Sequence, residues 1–104
     1  ARDGLLWLTE LRAALGHLPA VKELRGTGLM IGVELCGPAG GEAAAQMTWR
    51  VVTTCLKHGV LLLPCGDGNV IQLTPPVVMT VEQRAFVIRT LAEAIALAWQ
   101  GVQP

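Results

Sequence analysis

The sequence predicts an α+β layer fold, a small and mostly antiparallel sheet with helices packed on one face. Three observations predict it. Apolar residues recur at helical spacing in three separate segments, they alternate with a period of two between residues 29 and 35, and glycine- or proline-bearing turns divide these runs. The order that results is helix, hairpin, helix, strand pair, helix. No internal repeat or low-complexity tract interrupts it.

Asp3 is expected to cap the first helix, its carboxylate accepting from the free amides of the opening turn, with Leu8, Leu11, Leu15 and Leu18 forming the buried stripe. Gly16 in a left-handed conformation and Pro19 beyond it should end that helix between residues 15 and 18. From Val21 the period changes. Val21 to Arg25 and Leu29 to Leu35 read as two strands joined by the glycine turn Gly26-Thr27-Gly28; Leu29, Ile31, Val33 and Leu35 face inward and Met30, Gly32 and Glu34 outward. Gly37 to Gly41 is a loop by composition.

A second helix is expected from Glu42 to Lys57, with Ala44, Met47, Val51 and Cys55 on its buried stripe, Val52 and Leu56 widening it, and Gly59 at its stop. Val60 to Leu63, bounded by Gly59 and Pro64, reads as a strand covered on both faces. Cys65 to Asn69 is turn chemistry, Val70 to Leu73 the return strand, and Pro75-Pro76 its end. Thr80 and Gln83 then form a capping box that opens the last helix, whose inner face runs through Phe86 or Val87, Leu91, Ile95 and Ala98 towards Trp99.

Composition narrows the function classes. At 104 residues the chain suits one domain, 52% of its residues are apolar, and 15% are charged where about 25% is usual. Such a surplus implies a surface covered by a partner. Eight basic residues balance eight acidic ones without a basic cluster, which argues against nucleic acid as a partner. Arg89 and Glu93 break the most apolar helix candidate, so no membrane span is expected. Cys36, Cys55 and Cys65 lack CxxC spacing and suit reduced thiols in a cytoplasmic protein. The chain opens Ala1-Arg2-Asp3, which suggests a piece of a longer polypeptide.

Chemistry-bearing residues are sparse. Gly26-Thr27-Gly28 leads into a strand rather than a helix, so it reads as a hairpin turn and not a phosphate cradle; Cys65 to Asn69 lacks the oxygen ligands of a calcium loop. His17 and His58 lie at helix ends, where they suit capping or surface roles, and neither has partners at metal-ligand spacing. Cys55 falls on a buried stripe, and nothing near Cys36 or Cys65 in the sequence activates a thiol. Lys22 and Lys57 occupy settings that favour a solvated ammonium over a Schiff-base amine. The chain contains no serine, and no self-sufficient catalytic group, cofactor-binding group or metal-binding group emerges from it.

The run Leu18-Pro19-Ala20-Val21-Lys22-Glu23-Leu24-Arg25-Gly26-Thr27-Gly28-Leu29-Met30-Ile31-Gly32-Val33-Glu34-Leu35 resembles the start of the C-terminal small domain of class III aminotransferases, fold-type-I enzymes dependent on pyridoxal phosphate. His58-Gly59-Val60-Leu61-Leu62, Cys65-Gly66, Asn69-Val70-Ile71-Gln72-Leu73-Thr74-Pro75-Pro76 and Thr80-Val81-Glu82-Gln83 continue the resemblance in order, over nearly the whole chain. It implies that residues 1–104 form one small domain of a larger, homodimeric enzyme. The partner would be that enzyme's large domain, which holds pyridoxal phosphate, and the reactants a small amine or amino acid and a 2-oxo acid. Where many members carry a carboxylate-binding arginine, this chain has Gln72, which makes Gln72 the candidate substrate-binding residue. A planar amide offers hydrogen bonds without bidentate charge pairing, so an ω-amino donor such as a diamine or diaminobutyrate fits better than a bare distal carboxylate. Arg25 matches the family's Arg-Gly motif and is assigned to turn or domain contacts. A decarboxylase, racemase or aminomutase on the same scaffold, and a stand-alone ligand- or protein-binding module, remain as alternatives.

Overall fold

A computed structural model describes residues 2–27, 30–37, 41–65, 68–73 and 80–102. The chain runs α1 (Arg2–Leu15), β1 (Val21–Thr27), β2 (Met30–Leu35), α2 (Gly41–Lys57), β3 (Leu63–Cys65), β4 (Val70–Leu73) and α3 (Val81–Gly101). The strands form a sheet of order β1-β2-β4-β3 in which every neighbouring pair is antiparallel. Helices α1 and α2 lie against this sheet, and α3 packs on both of them. This is the small α+β domain that the periodicities predict.

The core follows from those periodicities. In β2, Ile31, Val33 and Leu35 are buried while Met30, Gly32 and Glu34 are not, and in β4 Ile71 and Leu73 are buried on either side of a half-buried Gln72. The inward residues meet Trp7, Leu11 and Leu15 of α1, Met47, Val51 and Cys55 of α2, and Leu91 and Ile95 of α3 in one apolar cluster. Thr48 is the polar member of that interior on α2, and its hydroxyl donates to the Ala44 carbonyl at 2.9 Å. On α3 the Thr80 hydroxyl accepts from the Gln83 amide at 3.0 Å while the Thr80 amide donates to Gln83 Oε1 at 2.9 Å. That reciprocal pair is the capping box.

Several elements differ from expectation. Helix α1 starts at Arg2, so Asp3 lies inside its first turn rather than ahead of it. Gly16 is not left-handed: among the described glycines only Gly59, at φ +82°, and Gly68, at φ +85°, are. The Gly16 amide instead donates to the Arg12 carbonyl at 2.9 Å, and a Cβ there would come within 2.6 Å of that oxygen. Close approach, not handedness, accounts for this glycine.

Leu56 is 57% exposed instead of widening the α2 stripe, because one step beyond Cys55 turns it past the edge of the buried face. On α3, Val87 packs on the core, whereas Phe86 is exposed with the Arg89 guanidinium 5.9 Å from its ring centre. Val60 to Leu63 is not a doubly covered strand. Val60 and Leu62 are buried, Leu61 and Leu63 are 72% and 56% exposed, and the strand begins only at Leu63. The Val60 amide donates to the Cys55 carbonyl at 2.8 Å, which ties this segment to the end of α2 before it joins the sheet. Pro64 is accommodated in β3, which pairs on one side only, with β4. The expectations for Gly28, Leu29, Pro38 to Gly40, Gly66-Asp67 and Thr74 to Pro76, and for the side chains of Asp3 and Glu42, lie outside the described residues.

Candidate functional site on the open face of the sheet

With its inner face covered by helices, the sheet presents its other face outward. Strand register decides what stands there. Gly32 of β2 lies opposite Arg25 of β1 and Gln72 of β4, and Gln72 lies opposite Leu63 of β3. One row across the sheet therefore reads Arg25, Gly32, Gln72, Leu63. Because Gly32 has no side chain, the row is notched at its centre, and a cavity of about 240 Å³ opens there, lined by Arg25, Met30, Ile31, Gly32, Cys65, Val70 and Gln72. A Cβ on Gly32 would meet only Val70 Cγ1, at 3.4 Å. The notch is a property of that one glycine.

Charge enters from the next row. Glu34, whose side chain is 16% exposed, accepts from Arg25 Nη2 at 3.0 Å through Oε1 and meets Lys22 Nζ at 3.4 Å through Oε2. Glu23 stands opposite Glu34 in the strand register, so two carboxylates balance the Lys22 and Arg25 cations and the margin of the cavity carries no net charge. A register irregularity between Val21 and Glu23 in β1 brings this part of the strand alongside Glu34. A second cavity of about 210 Å³ is lined in part by Lys22, Glu34, Cys36 and Asn69.

Gln72 stands where alternation predicts, on the face opposite Ile71 and Leu73, and it lines the larger cavity. Its amide has no hydrogen-bond partner among the described residues. Arg25 belongs to β1 rather than to the turn, and it shares the cavity with Gln72. Sequence reasoning did not anticipate that juxtaposition. The outward alternation of Arg25, Gly32 and Gln72 is visible in the sequence, but the pairing register that aligns them is not.

Of the other reactive side chains, the free thiol Cys65 lines this cavity, and the rest are apart from it or tied elsewhere. Cys55 is fully buried, and desolvation pushes its thiol up from 9.0 to about 11, which makes it an inert apolar residue at neutral pH. Cys36 Sγ donates to the Pro19 carbonyl at 3.4 Å. His58 Nδ1 lies 3.0 Å from the Thr54 carbonyl, a capping position at the end of α2. His17 is exposed just after α1, and no group of three or more metal-ligating side chains occurs among the described residues.

Pyridoxal phosphate requires a desolvated lysine amine, and the chain's lysines do not fit that requirement. Lys22 has a side chain 63% exposed and paired with Glu34, while Lys57 is exposed at the end of α2. The face described above can contact a small molecule, but the described residues do not make up a cofactor site. No described helix is long and apolar enough to cross a membrane.

Comparison with known proteins agrees with this architecture. A family model described as aminotransferase class III matches residues 4–95. An acetylornithine aminotransferase of Corynebacterium efficiens is 38% identical over 96 residues, which is 92% of this chain and 21% of that protein. An alanine/serine racemase of Pyrococcus horikoshii is 35% identical over 89 residues, 78% of this chain and 19% of that one. Among solved structures, an aminotransferase of Bacillus anthracis superposes with a TM-score of 0.76 at 32% identity, covering 93% of this chain and 23% of that one. The chain thus spans about a fifth of the length of the curated relatives it matches. On the strength of the match to residues 4–95 and of the shared fold, the chain belongs to the class III aminotransferase family.

Proposed function

We propose that residues 1–104 are the C-terminal small domain of a pyridoxal-phosphate-dependent aminotransferase that moves an amino group from an amine or amino acid to a 2-oxo acid. The observation that carries this reading is the family match along residues 4–95, in a chain about a fifth as long as its curated relatives. The remainder of the enzyme, including a large domain with the lysine and the cofactor, lies outside these residues. The full protein works as a homodimer in the cytoplasm. Pyridoxal phosphate supplies an electron sink in such enzymes, and the protein selects the bond to be broken by orienting the substrate.

Orientation is the part assigned to this chain. Gln72 projects from β4 into the cavity with its amide unpaired among the described residues, and it meets the distal end of the amino donor. Its carbonyl oxygen accepts from an ammonium and its NH₂ donates to an oxygen, without the fixed charge of a guanidinium. An ω-amino compound, a diamine or diaminobutyrate, suits that amide better than a donor ending in a bare carboxylate.

The 35% identity to an alanine/serine racemase supports a second reading, in which the same scaffold inverts a stereocentre and transfers no nitrogen. One experiment separates the two. The full-length gene product, loaded with pyridoxal phosphate, is given ω-amino donors and 2-oxoglutarate. Formation of glutamate supports the aminotransferase, whereas racemisation or carbon dioxide release without glutamate overturns it.

A further inference from the structure

Helix α2 carries a second apolar stripe beside the one that faces the core. Ala45, Trp49, Val52 and Leu56 follow at steps of four, three and four residues, so they share one flank of the helix, and Trp49 and Leu56 are 64% and 57% exposed. A Cβ on Gly68, between β3 and β4 in the chain, would stand 3.7 Å from Ala45 Cβ, which sets this flank on the side of the edge strand β3. Arg50 belongs to the opposite flank, where its guanidinium lies against Gly101 at the end of α3.

Both ends of the described chain are therefore away from the stripe. Helix α1, where the chain enters, packs on β1, β2 and α3, and α3 ends beside Arg50. The sheet face that carries Gln72 is the one turned from α2. Alternating steps of three and four residues form the seam of a helix pair, so the stripe suits another helix. Side-chain size then selects which one. When two copies of α2 run antiparallel about a two-fold axis, Leu56 of each faces Ala45 of the other and Trp49 of each faces Val52, large against small at every level. A parallel pair would set Trp49 against Trp49 and Ala45 against Ala45, with crowding at one level and a void at another. The antiparallel pair also opposes the two helix dipoles. Arg50, close to the two-fold axis in sequence, is turned away onto Gly101, so like charges do not meet there.

We infer that this flank of α2 is a self-docking surface whose occupant is α2 of a second copy of the chain, in an antiparallel two-fold pair. One helix pair covers less than the roughly 800 Å² per copy of a standard interface, so the contact depends on concentration. The inference goes beyond the aminotransferase reading and does not rest on it, because it is read as mass and not as turnover.

The test is sedimentation of the full-length protein between low micromolar and near-millimolar concentration. The mass should rise by up to about twofold over that of the most dilute sample. Trp49→Glu places a charge in the seam and should abolish the rise, as should Leu56→Gln, whereas Trp49→Leu keeps the stripe apolar and should retain it. Circular dichroism reports whether each variant is folded; should Trp49→Glu fail to fold, Leu56→Gln, at a side chain already more than half exposed, decides the matter. A wild-type mass that does not change with concentration overturns the inference, as does a rise that persists in the folded variant. A lowered melting temperature in Trp49→Glu beside a constant wild-type mass assigns the stripe to another part of the same enzyme and also overturns it. Glutamate formation is scored separately, so the failure of this inference and that of the aminotransferase reading are distinguishable.

Discussion

Replacing Arg84 with Met tests how the two ends of the chain are held together. Arg84 on α3 places Nε 2.7 and 2.8 Å from the two oxygens of Glu10 on α1, across 74 residues of sequence. Its side chain is 14% exposed and that of Glu10 is 33% exposed. Exposed ion pairs contribute about 0–1 kcal/mol, and stranding one partner of a fully buried pair costs about 3–5 kcal/mol. Glu10 is close enough to water to rehydrate once abandoned, so the loss belongs nearer the lower range, at about 1–2 kcal/mol. For a domain of this size each kcal/mol lowers the melting temperature by roughly 4–8 °C. Urea denaturation of the chain, of Arg84→Met, of Glu10→Gln and of the double variant should give a coupling energy of about 1 kcal/mol, reduced in 1 M salt. The denaturant slope should not change. Zero coupling, or a double variant as destabilised as the sum of the singles, would refute the bridge between α1 and α3.

Four further outcomes follow from the geometry. Cys55 ionises at about 11 in the folded chain against an ordinary 9.0, so the folded state holds its proton where the unfolded state has lost it. Its contribution is complete below pH 9, falls as pH rises from there, and is spent above about 11, a total of no more than about 3 kcal/mol; Cys55→Ala should flatten that part of a stability-versus-pH curve. Thr80→Ala removes one half of the capping box and should cost about 1 kcal/mol by urea denaturation, with the loss read as helicity at the start of α3. Gly59→Ala should cost about 1–2 kcal/mol from its φ of +82° alone, since a Cβ there meets nothing within 4 Å. Gly32→Ala places a Cβ in the notch between Arg25 and Gln72, where it meets only Val70 Cγ1 at 3.4 Å, so the full-length enzyme should fold normally and show raised KM for donor and acceptor alike.

The fold was legible where one face of an element is buried and the other is not. In β2 the alternation of Ile31, Val33 and Leu35 with Met30, Gly32 and Glu34 reports directly which side meets the core, and the Thr80–Gln83 spacing reports a cap that involves only local atoms. Helix α2 was legible for the same reason through Ala44, Met47, Val51 and Cys55. What failed was decided by contacts the sequence does not contain. Val60 to Leu63 is apolar throughout, so its period carries no information, and its burial is set by the tie from Val60 to Cys55 and by the edge position of β3. Gly16 was misread because a close carbonyl and a left-handed turn both require glycine. The site was half legible. Alternation put Gln72 on the open face, while its alignment with Gly32 and Arg25 depends on sheet register, and the bond between Arg84 and Glu10 depends on how α1 and α3 cross.

The central claim is that the open face of this sheet meets the substrate of a larger aminotransferase through Gln72. The most direct measurement is kcat/KM for a series of amino donors with wild-type and Gln72→Arg full-length enzyme, using 2-oxoglutarate as acceptor. The account predicts that the wild type favours donors ending in an amine, and that Gln72→Arg shifts preference by at least about tenfold towards donors ending in a carboxylate. Identical donor profiles for the two proteins would contradict it.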